Sequence, residues 1–118
     1  MLKAIATLAL ISSTSTALAA SQKPITTKEE YVANIADKKA TADWGWVTVK
    51  SDGTLIGEAF SKGLKGKWYW KDKYWCRVLI EDDGSEGKED CSMVFLSGKT
   101  LYTVSKKGKG SRRELLLP

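Results

Sequence analysis

Two cysteines flank an acidic turn in a segment that has the pattern of a β-hairpin, and this feature constrains the fold more than any other. Residues 74–81 are rich in aromatic and branched side chains, and residues 88–96 end in an apolar run. Between them, residues 82–85 (Asp-Asp-Gly-Ser) have the composition of a tight turn. We therefore predict two antiparallel strands that are joined by this turn.

The turn fixes which residues of the hairpin face each other. With Asp83 and Gly84 at its centre, Cys76 lies opposite Cys91, at a spacing that a disulfide can bridge. Such a bond would stabilise the fold by about 3 kcal/mol in the chain-entropy model. The same register places Arg77 opposite Asp90 on the other face of the hairpin.

The first residues have the pattern of a cleaved export signal. Lys3 supplies a positive charge, residues 4–11 are apolar, and residues 17–19 (Ala-Leu-Ala) suit signal peptidase. We predict a signal peptide over residues 1–19, cleaved after Ala19, and a periplasmic or secreted protein. Two cysteines in an exported chain indicate a structural disulfide rather than a metal site.

The remaining chain has the length of one domain. We expect a flexible leader over residues 20–26 and a single disulfide-bonded domain over residues 27–118. Thr27 and Glu30 form a capping-box pattern that begins a helix over residues 28–39.

From Trp44 onward the hydrophobic period is two, and glycine-containing turns follow at short intervals. Residues 61–65 interrupt this pattern. We predict a mainly β fold, a small antiparallel sheet or barrel of about six to seven strands, with one N-terminal helix and one disulfide. Besides the cysteine hairpin, the predicted strands are residues 46–50, 54–60, 66–71, 100–106 and 112–116.

The composition excludes several chemistries. The chain contains no histidine, which removes the usual general base and most zinc sites. It contains neither of the common glycine-rich phosphate-binding patterns. The acidic turn does not match the calcium-loop pattern and is better interpreted as a solvated hairpin tip. We expect no metal, no cofactor and no catalytic residue.

The tryptophans allow two interpretations that depend on the turn at Asp72 and Lys73. A two-residue turn pairs Trp70 with Trp75 and Trp68 with Arg77, on the face away from the disulfide, and creates an aromatic ledge suited to a sugar or a planar ligand. A three-residue turn shifts the register by one residue and packs Trp68 on Cys76 inside the core. We favour the second register, because a small sheet needs large side chains to form a core. Trp68, Trp70, Trp75 and Arg77 remain the candidate ligand-binding residues.

A basic segment near the C-terminus is a second candidate site, for anions. It lacks the interleaved aromatic side chains of a nucleic-acid platform, and the net charge of +5 is also compatible with ordinary solubility. Its residues are Lys106, Lys107, Lys109, Arg112 and Arg113.

The segment from Trp44 to Cys91 resembles a family of small exported bacterial proteins of unknown function. The motifs are W-x-V-x-x-D-G-T-x-x-G, then G-x-W-x-W-x-x-x-Y-W-C-R, and a second cysteine beyond the acidic turn. Some members carry the name dihydrodipicolinate reductase. The resemblance implies an exported, disulfide-bonded β domain and brings no catalytic residues. The reductase name would imply a nicotinamide-dependent enzyme, for which this sequence has no fingerprint.

Three functions are consistent with these observations. The first is a non-enzymatic binding or interaction module whose partner is an envelope component or an exported protein. The second is an exported inhibitor that inserts the acidic tip, residues 82–87, into an enzyme's cleft, and the third is an enzyme. We expect a monomer without a membrane span and without a nucleic-acid partner.

Overall fold

A computed structural model describes residues 22–118. The predicted signal peptide, residues 1–19, lies outside the described residues. The strands are β1 (Lys23–Ile25), β2 (Lys39–Ala42), β3 (Gly45–Val49), β4 (Thr54–Ala59), β5 (Lys62–Lys71), β6 (Tyr74–Leu79), β7 (Asp90–Ser97), β8 (Thr100–Val104) and β9 (Arg112–Leu116), and the helical segments are α1 (Lys28–Asn34) and α2 (Ser105–Gly108).

Strands β2 to β9 form a closed antiparallel barrel. Each strand pairs with the next along the chain, and β9 returns to pair with β2, where Thr41 lies opposite Leu116. Closure leaves no exposed sheet edge between these eight strands. The predicted fold class, a mainly β antiparallel barrel with one disulfide, is confirmed, although the described residues contain more strands than we predict.

The additional strand, β1, extends the wall of the barrel. It pairs with residues 94–96 of β7, immediately beyond the residues of β7 that pair with β6. Ile25 at the end of β1 is only 2% exposed. Residues 23–25 therefore form part of the folded domain, and the prediction that they belong to a flexible leader is wrong.

The helix begins where the sequence predicts and ends earlier. Thr27 is the N-cap, and its hydroxyl accepts a hydrogen bond from the Glu30 backbone N–H at 3.2 Å. Helix α1 ends at Asn34, because Ile35 leaves helical geometry and Asp37 has a positive φ of 66°. Because the helix ends early, residues 39–42 lie outside it and form β2, a strand that the sequence pattern does not predict.

The turn between β4 and β5 is tighter than predicted. Ala59 pairs directly with Lys62, and both central residues, Phe60 and Ser61, have positive φ (51° and 67°). Turns of this kind match the twist of paired strands but usually contain asparagine or glycine. The predicted interruption over residues 61–65 is thus wrong, and β5 extends without a break to Lys71.

The cysteine hairpin has the predicted register. Cys76 pairs with Cys91 and forms the disulfide, with 3.9 Å between the Cα atoms, and Arg77 pairs with Asp90. The predicted pairing does not continue to the tip. There Ile80 pairs with Glu86, whereas the predicted register would pair Ile80 with the residue that follows Glu86. The hairpin therefore has a longer irregular tip than the sequence suggests.

The register that we favour from sequence for the tryptophan hairpin is wrong. The turn at Asp72 and Lys73 has two residues, so Trp70 pairs with Trp75 and Trp68 with Arg77. Asp72 has a positive φ of 57° in this turn, a conformation that aspartate tolerates. The tryptophan face is nevertheless the interior of the barrel, and the cysteines lie on the other face of the strands.

Tyr31 of α1 closes one end of the barrel together with the tryptophans. Tyr31 is 2% exposed and Trp68 is 4% exposed, and the Trp68 indole N–H donates to the Lys50 carbonyl at 2.7 Å. We call this end of the barrel the helix end.

None of the helices in residues 22–118 has the length and apolar character needed to cross a membrane.

Removal of the disulfide should lower stability without abolishing the fold. We expect the double variant Cys76→Ser with Cys91→Ser to lose about 3 kcal/mol of unfolding free energy, because the bond spans 15 residues and restricts the unfolded chain. Urea denaturation followed by tryptophan fluorescence measures the loss. Reduced wild-type protein is the matched control and should unfold like the variant, whereas an unchanged urea midpoint would contradict the prediction.

Candidate functional site

The barrel contains a cavity of about 250 Å³ that extends from Tyr31 toward the end opposite α1. At that opposite end lies Phe60, which lines the cavity and is 75% exposed, so the cavity reaches solvent there. We call it the open end. The lining residues are Tyr31, Trp44, Val47, Leu55, Ala59, Phe60, Leu64, Trp75, Arg77, Leu79, Asp90, Ser92, Thr103, Ser105, Ser111, Arg113 and Leu115.

The floor of the cavity is formed by the aromatic side chains of Tyr31 and Trp75, which Trp68 and Trp70 support from the core. The ring of Tyr31 lies 5.3 Å from Trp68, 5.5 Å from Trp70 and 6.1 Å from Trp75, measured between centroids. Such spacings are favourable for aromatic pairs. Because the Thr27 cap fixes the start of α1, the helix holds Tyr31 against all three tryptophans. The floor is therefore a packed, rigid surface.

The walls of the cavity differ in polarity. Strands β3, β4 and β5 contribute apolar side chains, among them Val47, Leu55 and Leu64. The opposite wall, from β6 to β9, contributes the charged and most of the hydroxyl side chains. We call this the polar wall, and its charged and hydroxyl side chains are those of Arg77, Asp90, Ser92, Thr103, Ser105, Ser111 and Arg113. The same wall also includes Trp75, Leu79 and Leu115, so the cavity is amphipathic across its width with its charges confined to one side.

Arg77 and Asp90 form a partly buried pair on the polar wall. The guanidinium Nη2 of Arg77 lies 4.0 Å from the carboxylate of Asp90, and the side chains are 28% and 24% exposed. Asp90 also accepts a hydrogen bond from the Lys106 backbone N–H at 3.0 Å. The carboxylate therefore links β6 to the turn at α2.

Arg113 brings a second positive charge to this wall. Burial lowers the pKa of Arg77, the Asp90 carboxylate opposes that shift, and the charge of Arg113 adds to it. The charge of Arg113 therefore acts on the Arg77 guanidinium, although less than burial and the Asp90 carboxylate do. The polar wall has more positive than negative charge.

Trp75 presents an unused hydrogen-bond donor. It is 8% exposed and lines the cavity, and its indole N–H finds no acceptor among the described residues. Buried donors are normally paired, and an unpaired one costs about 1–3 kcal/mol. The indole N–H of Trp70 also has no acceptor in residues 22–118, but Trp70 does not line the cavity.

Aromatic side chains border the open end. Trp44 stacks on Phe60 with 6.4 Å between the ring centroids. Phe60 lies in the tight turn between β4 and β5, which projects it into solvent. Exposed phenylalanine at a cavity mouth is well placed to contact a ligand that enters.

The structure separates the four candidate residues of the tryptophan hairpin. Trp75 and Arg77 line the cavity, whereas Trp68 and Trp70 pack around Tyr31 in the hydrophobic core. All four point to one face, as the two-residue turn requires, but that face encloses the barrel interior. These four residues therefore do not form a flat external ledge.

The basic segment is also divided. Arg113 lines the cavity, while Arg112 lies on the outer face with its guanidinium 4.3 Å from the Tyr102 ring. Lys107 lies over the Tyr74 ring at 5.5 Å. Lys106 and Lys109 are exposed in the turn that follows β8. The structure thus brings together Arg77 and Arg113 from two different candidate sites.

The sequence pattern does not identify several residues that line the cavity, above all Tyr31, Leu64 and Phe60. The pattern indicates only a covering helix for Tyr31, and Leu64 and Phe60 lie in or beside the predicted interruption. A usable signal is present in β7 and β8, where Ser92 and Thr103 occupy inward positions that an ordinary core would fill with apolar side chains.

The fold and the cavity define the class of the protein as a closed antiparallel barrel of eight strands, with one additional strand and an internal cavity. The interior of a barrel with eight strands is either filled by side chains or holds one small ligand. Comparison with protein-family models, with curated proteins and with solved structures found no match to the chain. The functional assignment therefore depends on the residues of the cavity.

Tyr31 should make stability depend on alkaline pH. Burial raises the pKa of its phenol well above the ordinary value of about 10. The folded state keeps this proton, while the unfolded chain loses it above about pH 10, so the stabilisation is complete below that pH and is lost as the pH rises. We expect Tyr31 to contribute a fall of about 1.4 kcal/mol in unfolding free energy per pH unit.

Urea denaturation at several pH values between about 9 and about 11.5 measures this dependence. The Tyr31→Phe variant should show a shallower slope than the wild type above about pH 10. Tyr69→Phe is the matched control, because Tyr69 is 38% exposed, and it should keep the wild-type slope. Equal slopes for Tyr31→Phe and the wild type would show that Tyr31 ionises freely in the folded protein.

Proposed function

We propose that this protein is an exported, non-enzymatic binding module that holds a small ligand inside the barrel. The observation that carries the proposal is the cavity itself, which is open at one end and combines an apolar wall on β3, β4 and β5 with charged and hydroxyl side chains on the opposite wall. The partner of this protein is then a small envelope molecule rather than a nucleic acid.

The size of the cavity supports a small ligand. An engineered cavity of about 150 Å³ in another protein binds benzene. The space here is about 250 Å³, so it accepts a molecule somewhat larger than one aromatic ring. The apolar wall of Val47, Leu55 and Leu64 favours a ligand with a hydrocarbon body.

The arrangement of carboxylates favours binding over hydrolysis. Asp90 is the one carboxylate among the described residues that line the cavity, and Arg77 and the Lys106 N–H already engage it. Hydrolysis by paired carboxylates requires a second group nearby. The reductase alternative requires parallel strands with crossover helices, whereas strands β2 to β9 pair antiparallel.

Export is supported by two features. The pattern of residues 1–19 is that of a signal peptide, and the bond between Cys76 and Cys91 is typical of oxidising compartments. Mass spectrometry of the protein from the envelope fraction of its host should give the mass of residues 20–118 less two hydrogens. A chain in that fraction that retains residues 1–19 would contradict export with cleavage.

Binding inside the barrel can be tested with 1-octanol as the probe. We expect chemical-shift changes in the ¹H–¹⁵N NMR spectrum at the Trp75 indole and at other lining residues. Leu64→Trp should weaken binding at least about tenfold, because the larger ring occupies the cavity. Lys65→Trp is the matched control, since Lys65 is exposed on the same strand, and it should bind like the wild type. Equal binding by the two variants would place the probe outside the barrel.

A further inference from the structure

We infer that the ligand of this cavity is an amphipathic organic anion with a single negative charge, whose acid group lies between Arg77 and Arg113. The inference rests on the proposed function and names the chemistry of its ligand. The hydrocarbon body of the ligand then lies against the apolar wall of β3, β4 and β5. Three properties of the cavity support this assignment: its charge, its free hydrogen-bond donors and its apolar wall.

The charges that line the cavity leave one positive charge unbalanced. They are Arg77, Arg113 and Asp90, and no other lysine, arginine, aspartate or glutamate is among the described lining residues. A ligand with one negative charge neutralises the polar wall, whereas a neutral ligand leaves its net charge of +1 uncompensated. A monoanion therefore gains an electrostatic attraction that a neutral ligand of the same shape lacks.

Arg77 has donors to spare for such a ligand. A guanidinium carries five N–H donors, and the 4.0 Å separation from Asp90 is long for a direct hydrogen bond. The side chain is 28% exposed, so water only partly satisfies these donors. Arginine binds carboxylates with two parallel hydrogen bonds, and an acid group that faces the Arg77 guanidinium from the cavity can form both.

Hydroxyl groups line the same wall as the two arginines. Ser92 is 5% exposed, an unusually buried position for a polar side chain. The Ser105 oxygen accepts a hydrogen bond from the Ser111 backbone N–H at 2.9 Å, which leaves its O–H free to donate toward the cavity. Thr103 lies on the same wall. These groups can bind the oxygen atoms of the acid that Arg77 does not reach.

Asp90 acts in this site as a positioning residue. Its contacts with Arg77 and with the Lys106 N–H hold the guanidinium on the inner wall near the turn at α2. Without this carboxylate the two arginines would repel each other without compensation. The arrangement keeps a net charge of +1 on the wall, from two arginines and one aspartate, which suits a monoanion better than a dianion.

The test compares octanoate with 1-octanol, which share a chain length and differ in the charged head group. We expect the wild type to bind octanoate at least about tenfold more tightly than 1-octanol, since hydrogen bonds to charged groups are the stronger ones. Isothermal titration calorimetry at neutral pH gives both dissociation constants. Saturation transfer from each probe to the Trp75 indole locates the site.

Two neighbouring arginines provide matched variants. Arg113→Met removes a charge from the cavity wall, and Arg112→Met removes the same charge from the outer face, where Arg112 lies over Tyr102. The preference for octanoate over 1-octanol should fall at least about fivefold in Arg113→Met. It should stay at the wild-type value in Arg112→Met. Both side chains are exposed, so both variants should fold, which circular dichroism verifies.

Each remaining outcome has a distinct meaning. If 1-octanol binds inside the barrel as tightly as octanoate, the ligand is not an anion, and the proposed function stands without this inference. If the two variants lose the preference equally, general surface charge explains it, and the inference is wrong. If neither probe binds, the cavity is not a ligand site of this kind, and the proposed function fails together with the inference.

Discussion

The pairing of β2 with β9 is the constraint on which the rest of this structure depends. Thr41 lies opposite Leu116, and its hydroxyl donates to the Leu116 carbonyl at 3.4 Å. Because this contact closes the sheet, every second side chain of eight strands points into one enclosed space. An open sheet with the same sequence would expose Arg77 and Trp75 to bulk water, where neither could form a selective site.

Closure defines a space, and the floor decides how much of it is filled. Tyr31 and three tryptophans pack at the helix end and fill that half of the barrel, whereas Trp44 and Phe60 border the open end. The other half has smaller side chains on β4 and β8, such as Ala59 and Thr103, and remains open. The division between core and cavity thus follows from where the large residues occur along the strands.

The parts of this structure that depend on local pattern are predictable from the sequence. The strand patterns on either side of the acidic turn predict the pairing of Cys76 with Cys91, although the register shifts by one residue at the tip, and Thr27 marks the helix start. Three features are not predictable in this way. Positive φ at Phe60 and Asp72 is uncommon for residues that are not glycine, so the sequence does not reveal either two-residue turn. Strand β2 is short and weakly apolar and exists because β3 and β9 flank it.

A cavity in so small a domain has an energetic cost that bears on its role. At about 24 cal/mol per Å³, an enclosed empty space of about 250 Å³ would cost about 6 kcal/mol. The whole stability of a typical domain is only about 5–15 kcal/mol. Access of water at the Phe60 end reduces this cost, and the disulfide offsets about 3 kcal/mol of it. Larger apolar side chains at Leu64 or Ser92 would fill part of the space and lower this cost, so a sequence that keeps the space open is explained best by a ligand that occupies it.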